Sequence, residues 1–333
     1  MDIKKMIKTA EPVARLDEIT DEMWHEMRKT GVGGSDAGAI LGMSKYQSPL
    51  SLWMLKTGRT EPSEGNENTE YGNILENPIR HEVFPKYFEK ETGVRPIVLK
   101  PKYMWRSTEN PHMLANIDGF VHYDGKLYGL EIKTGSSYML KDWGGRNGDK
   151  VPDVYYAQVQ HYMTVLGLDK FIIFGAIGNA AVIRWVPRNE DFINGDFGLI
   201  NAERLFFDRV KSGKPEDAPM PIGIDADMDA LMSLSDPQSD DVTEIDSELA
   251  RHYDEARQAE KVWKKRKEEV KQQIIKELGQ AKYGIADGYK VTFSKVKSNR
   301  LDSKKLKSMY PDIAQECTSE TESGRFTVKE VEE

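Results

Sequence analysis

Asn116-Ile117-Asp118-Gly119-Phe120 and, thirteen residues beyond Asp118, Leu130-Glu131-Ile132-Lys133-Thr134 decide how this chain reads. Between them lies Tyr123-Asp124-Gly125-Lys126, a hairpin signal, because Asp-Gly supplies the backbone conformations that a tight turn needs. Two antiparallel strands are expected, over 115–123 and 126–133. Side chains alternate along a strand, so Glu131 and Lys133 share one face while Leu130 and Ile132 share the other. Asp118 reaches the first face from the partner strand. Two carboxylates and one amine then converge at a sheet edge or bend. Carboxylates so close repel each other unless a cation bridges them. Hard oxygen ligands of this kind suit Mg²⁺ or Mn²⁺.

Working outward, Pro152 opens a helix that ends near Gly167, with Tyr155, Gln158, Val159, Tyr162, Met163 and Leu166 at intervals of three and four. Tyr155 and Gln158 can face the two strands. Phe171–Ile177 and Ala181–Val186 read as apolar strands around a Gly178-Asn179 turn. Upstream, Tyr71–Thr92 reads as a helix that Pro85 should kink, with Glu76 beside the apolar stripe and Arg80 four residues on as an ordinary ion-pair partner. Leu16–Lys29 reads as an amphipathic helix with Thr20 as its cap, after an arm (1–14) broken by Pro12. Gly31, Gly33 and Gly34 form a tight turn into a helix from about Ser35. Backbone N–H groups at such a start favour a phosphate, with Arg28 and Ser35 as added donors; the alternative is that Ser35 and Asp36 merely cap the helix. Lys45, Lys56 and Arg59 lie near a short Ser48-Pro49 helix and read as surface cations or nucleic-acid contacts. His112 and His122 lack the spacing and the companions of metal ligands.

At Asp118 and Glu131-x-Lys133 the sequence resembles the core of the restriction-endonuclease-like nucleases. Flanking blocks narrow the resemblance to the phage-type alkaline exonucleases, the YqaJ-like viral recombinase family. These are Gly31-Val32-Gly33-Gly34-Ser35-Asp36-Ala37, Ser48-Pro49-Leu50-Ser51-Leu52-Trp53, Gly72-Asn73-Ile74-Leu75-Glu76, and Tyr155-Tyr156-Ala157-Gln158-Val159-Gln160-His161-Tyr162-Met163. The blocks span about residues 20 to 210. The resemblance implies an α/β fold: a restriction-endonuclease-like core with a central mixed β-sheet flanked by helices. It implies Mg²⁺, with Mn²⁺ able to substitute, on Asp118, Glu131 and the Ile132 carbonyl, supported by Glu76. Lys133 and Gln158 join these as catalytic residues, Gln158 beside the lysine. Arg28 and Ser35 would grip a 5′-terminal phosphate, with Lys45 and Tyr155 as further DNA contacts. The implied activity is 5′-to-3′ digestion of linear duplex DNA, leaving 3′ single strands for recombination. A single-strand annealing protein is the implied partner, and a homo-oligomer, ring-shaped and trimeric in some members, the implied assembly. The alternatives are a structure-specific or nicking endonuclease with the same metal core, and a recombination adaptor without activity.

The chain carries a net charge of −8, with 38% hydrophobic and 31% charged residues, a soluble globular composition. An acidic total argues against a broad, passive DNA-binding surface. It weighs less against a nuclease, whose carboxylates add negative charge that a bound metal offsets locally. The longest apolar run, Phe171–Ile177, is too short to span a bilayer, and no apolar signal segment follows the first residues. A cytoplasmic protein of phage or prophage origin is expected. The single Cys317 excludes an internal disulfide and a cysteine-rich zinc site.

Four regions are expected: 1–218 as the nuclease domain, 219–239 as a linker, 240–280 as a long charged helix, and 281–333 as a small α+β module. The helix has an apolar stripe fit for a partner. The module expects a strand at 289–295, a helix at 303–309 and a returning strand at 325–328. Its Lys295, Lys297, Arg300, Lys304, Lys305 and Lys307 are either solvated surface or an extra contact to DNA or a partner.

Overall fold

The structure is a computed structural model that describes residues 2–61, 67–234, 242–299 and 301–319. The expected strand at 325–328 and Arg300 lie outside the described residues. The chain divides into two compact units, 1–236 and 237–333.

In the first unit the strands are β1 (Ala10–Arg15), β2 (Val32–Gly33), β3 (Ile97–Leu99), β4 (Tyr103–Ser107), β5 (Met113–Ala115), β6 (Gly119–Tyr123), β7 (Lys126–Gly135), β8 (Lys170–Ile177) and β9 (Ala180–Pro187). They form two sheets: five strands in the order β3-β6-β7-β8-β9, and four in the order β1-β4-β5-β2. In the larger sheet only β7 and β8 are parallel. A parallel neighbour requires a crossover, and the Asp153–Leu166 helix supplies it. A hairpin, a crossover helix and a parallel third strand, with helices on both faces, make the expected mixed α/β core.

The hairpin turns at Asp124 and Gly125, both at positive φ (48° and 71°), the conformation of the tight turns that match strand twist. Strand alternation divides the core. Leu130, Ile132, Ile172 and Phe174 pack with Ile79, Phe84 and Phe88 on one face. On the other, Phe171 and Ile173 pack with Val159, Tyr162 and Met163 of the crossover helix.

Several elements differ from expectation. The strand expected over 115–123 is split: β5 joins the smaller sheet and β6 begins at Gly119, leaving Asp118 at the break. The loose arm is in part strand β1, at a sheet edge, with Pro12 beside a register shift where its missing N–H does no harm. The helix expected at 71–92 runs as Glu67–Pro78, a π-turn over Ile79–Val83, and Phe84–Thr92. The irregularity thus precedes Pro85, which sits in the first turn of the next helix, where no N–H is needed. After β9 come two helices, Glu190–Asn194 and Leu199–Ser212. Within the expected linker, Asp225–Leu234 is a helix, with Ala230 buried beside Leu50, Trp53 and Phe206 and the Asp227 carboxylate accepting the N–H groups of Ile222, Gly223 and Ile224.

The second unit holds the long Ser247–Leu278 helix, the β10 (Tyr283–Ala286) and β11 (Tyr289–Thr292) hairpin, and the helices Ser303–Met309 and Pro311–Glu316. Among the described residues, no helix is long and apolar enough to cross a membrane.

Candidate active site

Glu131 is the pivot. Its position in β7 sends it beneath the Asp153–Leu166 helix, where it is 3% exposed. Lys133, on the same face, places Nζ 2.7 Å from Glu131 Oε1. Gln158 donates through Nε2 to that oxygen at 2.7 Å and to Tyr162 Oη at 3.1 Å. Tyr155, Gln158 and Tyr162, at helical spacings of three and four, line one stripe. The Lys133 ammonium stands 4.8 Å from the centre of the Tyr155 ring. The second oxygen of Glu131, Oε2, is buried and has no hydrogen-bond partner among the described residues.

Asp118 meets this group from the chain break before β6. Its Oδ2 accepts the Ile132 N–H at 2.7 Å, so the ladder between β6 and β7 ends in a side-chain bond where Gly119 pairs with Leu130. Arg80, buried in the π-turn, donates Nε–H to the Asp118 carbonyl and an Nη2–H to Glu76. A π-turn re-aims side chains relative to a regular helix, and here it turns Arg80 inward. Glu76, Asp118, Glu131, Ile132 and Lys133 line one open cavity of about 410 Å³.

Burial, then the charges of Glu131 and Glu76, push the Asp118 carboxyl well above the usual carboxylate range, against the pull of Lys133. Burial also raises Glu131, outweighing the ammonium beside it. Burial alone would lower Lys133, but Glu131 and Asp118 hold its proton on and raise it. Lys133 therefore keeps its proton beside the two carboxylates.

The donor set suits a hard cation in part. Asp118 and Glu131 are oxygen donors at one cavity, and the partnerless Oε2 is an atom that such an ion would satisfy. Glu76 is drawn off by Arg80, and among the described residues no group of three or more His, Cys, Asp and Glu side chains is gathered closely enough to hold a metal.

The second candidate site lies at the glycine turn. Thr20 caps the Asp21–Lys29 helix, which ends with Arg28 over the Trp24 ring at 4.9 Å. Arg28 Nη2 donates to Ser35 Oγ at 2.6 Å and to Asp36 Oδ1 at 2.9 Å. Asp36 accepts the Gly33 N–H through Oδ2 at 2.8 Å and pairs with Lys56 Nζ at 2.8 Å. Two cations hold the Asp36 carboxyl low in spite of its burial. Arg28, Lys29, Ser35 and Gln47 open onto a cavity of about 230 Å³. Gly34 joins the two sites: a Cβ there would lie 2.4 Å from the Tyr162 ring, the ring whose hydroxyl holds Gln158.

Lys56 and Arg59, read as surface cations, are structural. Lys56 is buried on Asp36 and on the carbonyls of Arg28 and Gly31, while Arg59 stacks on Trp53 and donates to the Gly213 carbonyl. Lys45 is exposed between two helices and does not line the Arg28 cavity. Arg80, Asp36, Lys56 and Tyr162 also belong to the two sites. Spacing marks Arg80 as the partner of Glu76 and Tyr162 as a neighbour of Gln158, and Asp36 reads as a helix cap, but nothing local pairs Lys56 with Asp36. His161 is wholly buried, with Nδ1 2.8 Å from Glu203 and Nε2 2.8 Å from the Leu114 carbonyl.

A mixed α/β core seating an acidic pair and a lysine beneath a glutamine-bearing helix is matched, over residues 23–169, by the YqaJ-like viral recombinase domain. The chain belongs to that family: it is 33% identical over 333 residues to the uncharacterized protein YqaJ of Bacillus subtilis (strain 168), covering 97% of this chain and 99% of that one. Among solved structures it is similar to an alkaline exonuclease, LHK-Exo, from Laribacter hongkongensis (TM-score 0.46, 18% identity, 57% of this chain and 93% of that one). A phage related exonuclease from Haemophilus somnus 129PT is also similar (TM-score 0.39, 14% identity, 57% and 98%).

Proposed function

We propose that this chain is a metal-dependent deoxyribonuclease that digests linear duplex DNA from the 5′ end and leaves 3′ single strands for recombination. The observation that carries the reading is Glu131: one oxygen locked by Lys133 and Gln158, the other buried beside Asp118 without a partner among the described residues. Membership of a viral recombinase family supports DNA as the substrate.

Asp118 and Glu131 would hold Mg²⁺ or Mn²⁺, with the Ile132 carbonyl as a further ligand and Glu76 available once Arg80 releases it. A divalent ion bound there lowers the pKa of a water and offsets charge on the scissile phosphate. Lys133, charged and fixed by Glu131, orients the attacking oxygen and stabilises negative charge on the phosphoryl oxygens. Gln158 is a positioning residue: it acts by holding Glu131. Tyr155 packs against Lys133 and faces the incoming strand. Arg28 and Ser35 hold the terminal phosphate, with Lys45 a contact further out, and the contacts read backbone rather than bases. The strand so exposed would pass to a single-strand annealing protein. A ring-shaped homotrimer would enclose the duplex.

The test uses linear duplex DNA bearing 5′-phosphate or 5′-hydroxyl and a closed circle of the same sequence, each with Mg²⁺ and with Mn²⁺, beside Lys133→Ala. Loss of the 5′-phosphorylated linear strand with an intact circle is expected. A cut circle would instead assign an endonuclease, and no hydrolysis with either metal would leave the adaptor.

A further inference from the structure

Residues 261–307 are a basic stretch in an acidic chain. They hold fifteen Lys and Arg against five Asp and Glu, while the whole chain is at −8. The flanking residues 237–260 and 308–333 are both net acidic, so the positive charge is concentrated rather than spread. It lies along the second half of the Ser247–Leu278 helix, on the β10–β11 hairpin and on the Ser303–Met309 helix. Among the described residues only two of these cations are ion-paired, Arg266 with Glu269 at 3.7 Å and Lys271 with Glu268 at 2.8 Å.

The hairpin adds aromatic surface. In its register Tyr283 pairs with Thr292 and Ile285 with Lys290, and cross-strand partners project to the same face. Gly284, on the opposite face, lies against Leu278 of the long helix. The face bearing Tyr283, Ile285 and Lys290 therefore looks away from that helix. Tyr283 is 52% exposed, yet Lys290 Nζ stands 4.9 Å and Lys282 Nζ 5.3 Å from its ring centre. An exposed ring with two ammonium groups close by is the pairing that a single strand uses: an unpaired base stacks on the ring, and adjacent phosphates meet the cations. A duplex hides its base faces and gains only the second contact.

We propose that the C-terminal unit is a second nucleic-acid site that binds single-stranded DNA, with Tyr283 as the stacking platform and Lys282 and Lys290 as phosphate contacts. The assignment goes beyond the nuclease reading and stands on none of the metal-site residues.

Fluorescence anisotropy tests it with the full chain in EDTA, where no strand is hydrolysed, using labelled oligo-dT of about thirty nucleotides and a duplex of equal length. Tyr283→Ala should weaken oligo-dT binding about 5- to 100-fold, and Tyr283→Phe should restore it to within about twofold. The surface double variant Lys282→Ala/Lys290→Ala should flatten the log–log salt dependence for oligo-dT by about 1.4. Duplex affinity should change much less with Tyr283→Ala. Unchanged oligo-dT affinity and salt slope in all three variants would overturn the assignment and leave the surface to a protein partner. An equal loss on duplex and single strand in Tyr283→Ala would overturn the stacking role.

Discussion

Asp118 does two things that pull in opposite directions. Its carboxylate closes the β-ladder by accepting the Ile132 N–H, and its charge faces Glu131 across the same cavity. An asparagine keeps the first interaction and removes the second, because an amide oxygen accepts an N–H equally well. Asp118→Asn should therefore leave the metal-free protein as stable as the parent, or more stable by about 1 kcal/mol, while hydrolysis is lost. Thermal melts in EDTA and in Mg²⁺ check this: the parent should melt higher with the ion, by linkage, and the variant should show no such rise. A parent indifferent to Mg²⁺ and Mn²⁺ would remove the metal from the site. Gln158 acts beside Asp118 through geometry alone. Gln158→Ala deletes a hydrogen bond to a buried charged group, which costs about 1.5–3 kcal/mol, and it frees Glu131 to turn. The urea midpoint should fall accordingly, and turnover should fall more than DNA affinity does.

The elements around the core are clamped by buried polar pairs that a pattern of residues does not reveal. His161, on the crossover helix, joins the Leu199–Ser212 helix through Glu203 and strand β5 through the Leu114 carbonyl. Both ring nitrogens face acceptors, which suits the imidazolium. Burial opposes its charge, but Glu203 outweighs burial and the His161 pKa is raised; burial raises Glu203 as well. A raised folded pKa contributes stability that is complete below about pH 6.5 and is lost as pH rises through the folded value. His112, stacked near Phe207, sets the other limb. Burial first, then the neighbouring His161, lowers it to about 4, so its contribution is present above about 6.5 and is lost as pH falls toward 4. On the alkaline side urea midpoints should therefore fall as pH rises from about 6.5 toward 9. His161→Gln should flatten that fall. What could be read from the residues were the elements with local signals: the Asp124-Gly125 hairpin, the apolar strands β8 and β9, and the three–four spacing of the crossover helix. β1 was hidden because Pro12 argues against a strand unless the strand is an edge with a bulge, and pairing decides that. Lys56 reads as a surface cation until Asp36, twenty residues earlier, is brought against it. Glu131, Lys133 and Gln158 could be placed on facing elements from periodicity. The Glu76–Arg80 pair could be read from its spacing of four, but not the π-turn that also sets Arg80 on the Asp118 carbonyl.

At the scale of the whole molecule, the apolar core belongs almost wholly to one unit. Among the described residues, all the buried hydrophobic ones but Ala314 lie at or before Ala230, and the long Ser247–Leu278 helix buries none of its side chains. Stability tracks apolar area removed from water, at about 25 cal/mol per Å², so the residues that set the melting temperature of the core are those of the first unit. The Asp225–Leu234 helix belongs with them, since Ala230 packs into that core and Asp227 caps its approach. A chain ending at Asp236 should thus melt within a few degrees of the full protein, whereas one ending at Ala218 loses that helix and should melt clearly lower, since about 1 kcal/mol shifts Tm by about 2–4 °C in a unit of this size. Circular dichroism on the two truncations beside the full chain checks the order. The comparison also separates the two proposed DNA sites: the chain ending at Asp236 should keep Mg²⁺-dependent hydrolysis of duplex ends while losing most of its affinity for oligo-dT. If that truncation instead lost both hydrolysis and its melting transition, the second unit would be part of the folding core, and its basic face would have to be explained together with the cavity around Glu131.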